Sequence, residues 1–311
     1  MIDRRNRIYG CLLFLWLPML VFAQDMVPVK RIDAPLLCAT ELRDYTSSFD
    51  LMEVQDVMPL LFKGIQTDTI IDPYNTLAPL FLRIAQKKEV VRIVHIGDSH
   101  VRGHIFPYTV RTLLENAFGA DAAYPKEVTY GTNGLAEPTG KSGILYDIIG
   151  VNGATTNRFT REDMIQRVTE RHPDLILLSF GTNEAHDRRY HRSMHTLQLS
   201  NLIYLLRQAN PGVVFLVTTP PGSYLRRRWR KIPNVRTEVV SQNIVAFCNQ
   251  NKLAYWDLYA IVGGRRYACK NWVKGDYMRR DRIHFTPEGY KVQGALLYEA
   301  LIKAYNDDVS N

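Results

Sequence analysis

The chain has 311 residues, of which 46% are hydrophobic and 23% charged, and its formal net charge is +8. This composition is ordinary for a globular protein; it excludes a disordered chain and provides enough apolar residues for a sizeable core. Three of the four cysteines, Cys38, Cys248 and Cys269, lie beyond residue 23; they are too few for a disulfide framework and their spacings fit no zinc site, although one disulfide beside a free thiol is compatible with them.

The first 23 residues have the pattern of a secretory signal peptide. Three arginines precede an apolar run from Cys11 to Phe22, and Ala23 suits cleavage before Gln24. The run is too short to span a bilayer comfortably, and no later run is long enough. Cleavage removes three Arg and one Asp, which lowers the formal charge from +8 to +6. We expect a periplasmic or secreted protein with no integral membrane segment in the mature chain.

The rest of the chain divides into two parts. Residues 24–88 have weak periodicity with a helix-like patch at 76–86, and we predict an N-terminal extension that packs on the main domain. From 89 to 311, apolar strands alternate with amphipathic helices. The predicted strands are residues 91–96, 144–151, 175–180, 213–218 and 253–258. The predicted helices are residues 107–118, 160–171, 196–208, 234–250 and 287–305.

This alternation predicts an α/β fold. Nearly continuous β-branched strands are typical of a parallel sheet that is covered by helices on both faces. With right-handed crossovers, the pattern gives a three-layer α/β/α sandwich around a mostly parallel five-stranded sheet. Ligands of such sheets bind at the carboxyl ends of the strands.

Four polar, glycine-containing segments fall at or near that edge. Three of them follow predicted strands, and the fourth precedes the last helix. They are GDSH at 97–100, GVNGA at 150–154, GTNE at 181–184 and DRIHFTP at 281–287. Taken singly, each segment is explained equally well by a turn or a helix cap.

Together these segments supply the groups for acyl transfer through a serine. Ser99 needs a base, and His284 is suited to that role near neutral pH. Asp281 precedes His284 by three residues and can hold its useful tautomer. A tetrahedral oxyanion needs preorganised donors, which the N–H groups of Ser99 and Gly153 and the side-chain amide of Asn183 can provide.

The four segments resemble, in the right order, the conserved blocks of SGNH hydrolases, also called GDSL-type esterases. The resemblance spans about residues 90–303 and looks closest to exported bacterial members that act on envelope or dietary glycans. It implies a flavodoxin-like sandwich and a cofactor-free esterase that uses Ser99, Asp281 and His284, with Gly153 and Asn183 in the oxyanion hole. The chain has His100 where the family usually has Leu, and Glu184 where Asp is common; neither difference removes a catalytic atom.

Two further residues near the nucleophile invite interpretation. We expect Asp98 to brace the Ser99 loop through hydrogen bonds, and His100 either to line the acyl pocket or to support that loop. The pair also resembles the Asp-x-His that begins the metal site of phosphoesterases. The histidine-containing block that completes such a site has no counterpart at 181–184, so no metal site is expected.

Two basic segments follow the fourth strand and precede the Asp281 segment. One surrounds Trp229 at 226–231, and the other runs from 265 to 280. Both are interpreted as loops at the catalytic edge, either simply solvated or binding an acidic glycan, a phosphorylated lipid headgroup or an anionic envelope surface. An exported protein meets no cytoplasmic nucleic acid. Arg228, Trp229 and Trp272 are the candidate substrate-binding residues, although both tryptophans would equally suit packing.

The sequence thus predicts an exported serine esterase that removes short acyl groups, acetyl above all, from a carbohydrate. A lipid-ester hydrolase or an acyltransferase would use the same triad. A glycan-binding protein that has lost its chemistry and a metal phosphoesterase are the remaining alternatives.

Overall fold

A parallel five-stranded sheet forms the centre of the fold. The computed structural model describes residues 49–124 and 133–310, so the predicted signal peptide, Cys11 and Cys38 lie outside the described residues. The described strands are β1 (Val90–Gly97), β2 (Ala123–Tyr124), β3 (Glu137–Pro138), β4 (Gly143–Gly150), β5 (Leu175–Ser179), β6 (Val214–Thr218), β7 (Tyr224–Arg227), β8 (Arg230–Pro233) and β9 (Ala254–Trp256). The central sheet has the order β4-β1-β5-β6-β9, and all its pairs are parallel.

Helices cover both faces of this sheet. The described helices are α1 (Ala78–Gln86), α2 (Ser99–Arg102), α3 (Ile105–Phe118), α4 (Glu162–Thr169), α5 (Thr182–His186), α6 (Arg192–Ala209), α7 (Arg236–Asn251), α8 (Leu258–Ile261), α9 (Gly264–Lys274) and α10 (Pro287–Ser310). One layer contains α1, α3 and α10, and the other contains α4, α6 and α7. This arrangement confirms the predicted three-layer fold with its five-stranded sheet.

The strand sequences explain the two layers. Five successive residues of β1 are buried, and neighbouring side chains of a strand point to opposite faces. Ile93 packs in the apolar cluster with α1, α3 and α10, whereas Val94 and Ile96 are buried on the alternate positions. A strand buried on both faces is expected to be mostly apolar, which is why β1 does not alternate. The exception in its buried stretch is His95, whose ring nitrogens lie 2.8 Å from the Tyr146 hydroxyl and 2.7 Å from the Ser179 hydroxyl.

Residues that precede β1 belong to the same core. Phe62, Ile70 and Leu77 are buried in the cluster that contains α10. Ile71 pairs with Tyr255 through two backbone hydrogen bonds of 2.9 and 3.0 Å, so this segment covers part of the outer edge of β9. The Trp256 indole donates a 2.8 Å hydrogen bond to Asp68, which joins the segment to the same strand.

Neither basic segment is the plain loop that was predicted. Residues 224–233 form the antiparallel hairpin β7–β8, and Gly264–Lys274 form helix α9. The helix forms because Ala268, Cys269 and Trp272 recur at helical spacing and are buried together. Its basic residues consequently occupy the opposite, solvated face of the helix.

The described residues also bear on the disulfide that the sequence allowed and on the expectation of no membrane-spanning segment. Cys248 and Cys269 are buried free thiols, and burial raises the pKa of both. Within residues 49–124 and 133–310, no helix has the length and apolar character needed to cross a membrane.

Candidate active site

Ser99 stands at the point where the strand order of the sheet reverses. Strand β1 lies between β4 and β5, so the connections that leave β1 and β4 run to opposite sides of the sheet. Such a reversal opens a crevice at the carboxyl ends of the strands. Ser99 follows β1 at this crevice as the first residue of α2, and the Asp98 carboxylate caps the helix by accepting a 2.8 Å hydrogen bond from the His100 amide.

Two glycines bring α2 directly onto the strand ends. A Cβ atom on Gly97 would lie 2.4 Å from Val101 Cγ2 and 2.5 Å from the Ser179 carbonyl oxygen. A Cβ on Gly150 would lie 2.2 Å from the backbone nitrogen of Arg102. Both positions therefore require glycine, and the backbone that carries Ser99 is fixed by close contact with β1 and β4.

His284 is presented by a closed loop that leads into α10. The loop is fastened by hydrogen bonds from the Arg279 amide to the His284 carbonyl oxygen and from the Thr286 amide to the Tyr277 carbonyl oxygen, both 2.8 Å. Within it, Asp281 Oδ1 accepts hydrogen bonds of 2.9 Å from the amides of Ile283 and His284. One oxygen of Asp281 therefore shapes the loop, and the other is available to the imidazole.

Ser99, His284 and Asp281 form a continuous hydrogen-bonded chain. Ser99 Oγ lies 2.9 Å from His284 Nε2, and His284 Nδ1 lies 2.8 Å from Asp281 Oδ2. Partial burial raises the pKa of Asp281, but hydrogen bonds from the Ile283 amide and from the ring and amide of His284 outweigh it and leave the pKa below its ordinary value. Because Asp281 is ionised at neutral pH, it accepts the Nδ1 proton and leaves Nε2 free to accept from the serine hydroxyl.

Gly153 and Asn183 follow the strands on either side of β1. Gly153 has a φ of +71°, and no atom lies within 4 Å of the position that a Cβ would occupy. A ligand can therefore approach its amide without contact with a side chain of this residue. The Asn183 side-chain amide donates a 2.9 Å hydrogen bond to the Ala154 carbonyl oxygen and a longer 3.4 Å contact to Asp98 Oδ2. The second contact is weak, so one amide hydrogen can turn to a substrate oxygen at small cost.

Glu184 joins the loops that carry these two residues. Its Oε1 accepts hydrogen bonds from the Thr156 amide (2.7 Å) and hydroxyl (2.9 Å), and its Oε2 accepts one from the Gly181 amide (3.0 Å). Thr156 belongs to the Gly153 loop, and Gly181 begins the turn that carries Asn183. From the sequence, Glu184 was notable only because it stands where the family commonly has Asp. The structure shows that its carboxylate accepts hydrogen bonds from both loops.

Asp98 and His100 flank Ser99 in the chain and are buried rather than exposed in the open site. Burial raises the pKa of Asp98 to about 8, although the hydrogen bond that its Oδ1 accepts from the His100 amide acts in the opposite direction. His100 is 5% exposed, its Nδ1 lies 3.0 Å from the Tyr290 hydroxyl, and burial lowers its pKa to about 3. Of the two predicted roles for His100, the structure favours support of the loop over lining of the acyl pocket.

A cavity of about 430 Å³ opens beside the chain of hydrogen bonds. It is lined by Ser99, His284, Gly153 and Asn183, which the sequence analysis grouped together. It is also lined by residues to which no role was assigned from the sequence, namely Gly103, Asn152, His186, Arg279, Ile283 and Tyr290. Arg279 was visible only as one of several basic residues, because nothing in a charge run tells which member faces a cavity.

The three candidate substrate-binding residues are placed differently. Trp272 is fully buried, packs edge-on to Phe62 and Phe285 at centroid distances of 5.0 and 5.1 Å, and donates to the Pro221 carbonyl oxygen at 2.9 Å. The prediction that Trp272 stacks on a sugar is therefore wrong. Trp229 is 93% exposed at the tip of the β7–β8 hairpin beside Arg228, and neither residue lines the cavity.

Another buried histidine, His195, has its hydrogen-bond partner within the protein. His195 lies 3.1 Å from the Tyr190 hydroxyl and is buried. Over residues 49–124 and 133–310, no group of three or more His, Cys, Asp or Glu side chains is placed to hold a metal ion.

Comparison with known proteins adds a family and a fold. The sequence pattern of the GDSL-like Lipase/Acylhydrolase family matches residues 96–292. Among solved structures, "Peptidoglycan O-acetylesterase in action, 5 min" has a TM-score of 0.65 at 18% identity, over 78% of this chain and 99% of that one. The acetyl xylan esterase AlAXEase has a TM-score of 0.50 at 16% identity, over 68% of this chain and 100% of that one. At such identities the likeness shows a shared fold. No curated protein was found to match the chain.

Proposed function

The chain belongs to the GDSL-like lipase/acylhydrolase family, and on that premise we propose that it is an exported serine esterase that removes acetyl or other short acyl groups from a carbohydrate. The observation that carries the proposal is the hydrogen-bonded chain from Ser99 Oγ through His284 to Asp281, at the wall of a cavity shared with Gly153 and Asn183.

In the acylation step, Ser99 Oγ attacks the ester carbonyl carbon while His284 Nε2 accepts its proton. The carbonyl π electrons move to the oxygen, which becomes the oxyanion of a tetrahedral intermediate. When the intermediate collapses, the bond to the sugar oxygen breaks and His284 returns the proton to that oxygen. Asp281 stabilises the imidazolium that exists between these two transfers.

The amides of Ser99 and Gly153 and the side chain of Asn183 are proposed to hold the oxyanion. These donors are fixed before the reaction, so they stabilise the developing charge without reorganisation. A water molecule, deprotonated by His284, then attacks the acyl-serine through an equivalent intermediate. The products are the free acid and the regenerated Ser99 hydroxyl.

An acetyl ester of a carbohydrate is the substrate that we propose. Both structural neighbours described above are named as acetylesterases, one of peptidoglycan and one of xylan, which agrees with an acetylated glycan as substrate. A sugar hydroxyl in place of water would make the same site an acyltransferase. The pattern of basic residues followed by the 11–22 apolar run supports export of the protein.

A panel of p-nitrophenyl esters tests the proposal. We expect kcat/KM to be highest for acetate and to fall by about 10-fold or more for butyrate, since extra methylenes that do not fit a pocket cost about 1–3 kcal/mol each. Release of acetate from an acetylated glycan, measured with and without a competing acceptor glycan, distinguishes hydrolysis from transfer. If kcat/KM were highest for long acyl chains, the protein would be a lipid-ester hydrolase instead. If no ester were turned over, the alternative of a non-catalytic glycan-binding protein would be favoured.

Glu184 is expected to position the oxyanion hole. Glu184→Ala removes the acceptors of the Thr156 and Gly181 amides, and we expect kcat to fall about 10- to 100-fold, because loss of one oxyanion donor costs about 10²- to 10³-fold and here the donors are loosened rather than lost. KM for p-nitrophenyl acetate should change little. Steady-state kinetics at a temperature where the variant is folded measure this split.

Two variants serve as comparisons for Glu184→Ala. Glu184→Gln keeps one acceptor oxygen and should restore part of kcat. Glu170→Ala removes an exposed glutamate after α4 and should leave kcat unchanged. A Glu184→Ala protein with lower thermal stability but unaltered kcat would limit Glu184 to a structural role.

A further inference from the structure

Arg279 is a cation inside the proposed catalytic cavity. It lines the cavity together with Ser99 and His284. Its backbone is fastened to the catalytic loop, because its amide donates to the His284 carbonyl oxygen at 2.8 Å and its carbonyl oxygen accepts from the Arg282 amide at 2.9 Å. The backbone of Arg279 is therefore fixed relative to the backbone of His284.

The Arg279 side chain is available to a substrate anion. Asp281 is close in sequence, but its Oδ2 is engaged by the His284 ring and its Oδ1 by two backbone amides. Among the ion pairs between described residues, none includes Arg279. A guanidinium fork without a protein carboxylate matches the geometry of a carboxylate or phosphate on a ligand.

The β7–β8 hairpin continues this positive charge outward from the cavity. Residues 224–233 contain five basic residues and no acidic one, and all five are exposed. The hairpin is joined to the catalytic loop, since the Tyr224 amide donates to the Arg282 carbonyl oxygen at 2.9 Å and the Lys231 ammonium donates to the Arg280 carbonyl oxygen. Basic residues thus extend from Arg279 to the exposed ring of Trp229 at the hairpin tip.

From this arrangement we propose that the site acts on an anionic glycan, in which Arg279 binds an acid group next to the scissile ester and the β7–β8 hairpin binds acid groups further along the chain. This inference rests on the proposed esterase function and adds the substrate class and a specificity-determining residue. The shared chemistry is an oxyanion, carboxylate or phosphate, borne by a sugar polymer. Trp229 adds a flat apolar face of the kind that stacks on sugar rings.

A polymer fits these features better than a membrane surface does. An anionic bilayer would contact the exposed hairpin alone, whereas Arg279 lies in the wall of the same cavity as Ser99 and His284, where the scissile ester must bind. A glycan chain with repeated acid groups would contact both places at once. Repeated weak contacts along one chain would also add through effective concentration.

The test compares acetylated glycans that differ in charge. The substrates are acetylated polygalacturonate, an acetylated glycan with phosphodiester groups, and acetylated xylan, matched in acetyl content. We expect kcat/KM of the wild type to be about 10-fold or more higher on an anionic glycan than on xylan, because a hydrogen bond to a charged group contributes about 1.5–3 kcal/mol. The better of the two anionic substrates identifies the acid group.

Variants assign the preference to named residues. Arg279→Gln should raise KM for the preferred anionic glycan by about 10-fold, with a smaller change in kcat and in KM for xylan, and Arg279→Lys should restore part of the loss. Replacing Arg226, Arg228 and Arg230 by glutamine should raise the same KM and reduce its dependence on salt. The matched control replaces Lys88 and Lys141 by glutamine, since both are exposed at the opposite edge of the sheet.

Three outcomes would overturn the inference. These are equal activity of the wild type on charged and neutral glycans, an equal loss on both glycans in Arg279→Gln, and hairpin-dependent binding to anionic phospholipid vesicles without any preference among glycans. Turnover of p-nitrophenyl acetate distinguishes failure of this inference from failure of the proposed esterase function. Turnover without a charge preference among glycans refutes the substrate class alone, and no turnover refutes the esterase function.

Discussion

Replacing Ser99 by alanine is expected to lower kcat/KM for p-nitrophenyl acetate by about 10³-fold or more. The reason is that Ser99 Oγ, 2.9 Å from His284 Nε2, is the atom proposed to form the acyl-enzyme. Without it, His284 has no nucleophile to deprotonate except water. Residual activity above the uncatalysed rate is expected, because the oxyanion donors still stabilise the transition state.

The Ser99→Ala protein should remain folded, since the half-buried hydroxyl contributes one hydrogen bond and the backbone of α2 is fixed by Gly97 and Gly150. Thermal unfolding followed by circular dichroism checks this. Ser142→Ala, just before β4 and therefore at the other edge of the sheet, is the matched control and should retain wild-type kinetics. Full activity in Ser99→Ala would refute the proposed mechanism.

Asp281→Asn is expected to lower kcat by about 10⁴-fold through the tautomer of His284. The amide oxygen of asparagine can still accept from the amides of Ile283 and His284, so the loop should be retained. The amide nitrogen would then face His284 Nδ1 and donate to it. The ring proton would move to Nε2, which could no longer accept the proton of Ser99.

Asp281→Ala provides the comparison that separates ring orientation from loop shape. The alanine variant loses both functions of the carboxylate, so it should be less stable than the asparagine variant while its kcat is no higher. Proton NMR offers a second readout, because the hydrogen-bonded Nδ1 proton of the wild type should be missing in Asp281→Asn. A kcat of Asp281→Asn within a few-fold of wild type would remove Asp281 from the mechanism.

The central sheet was predictable because its physical cause is local in the sequence. Residues 91–96 have four apolar side chains of six and residues 175–180 have five of six, a pattern typical of strands whose two faces are both covered by helices. The polar segments after these strands then had to meet at one edge, since parallel strands share a direction. The prediction that Ser99, Gly153 and Asn183 lie near one another needed no more than that.

The basic segments show where local reasoning fails. A charge run is compatible with a loop, a hairpin or the solvated face of a helix, and residues 264–274 turned out to be helical. Trp272 looked equally suited to a sugar and to a core until its neighbours were known. Its ring packs against Phe62 and Phe285, and neither residue is a near neighbour of Trp272 in the sequence.

By itself, the sequence determined the α/β fold, the family and the five residues that form the candidate catalytic site, because apolar periodicity and residue order carry that information. Tertiary structure alone decided how these residues are supported and what they face. That Glu184 joins the Thr156 and Gly181 amides, that His100 is buried against Tyr290, and that Arg279 lines the cavity all depend on contacts between distant segments. Side chains brought together by folding leave no periodic trace along the chain.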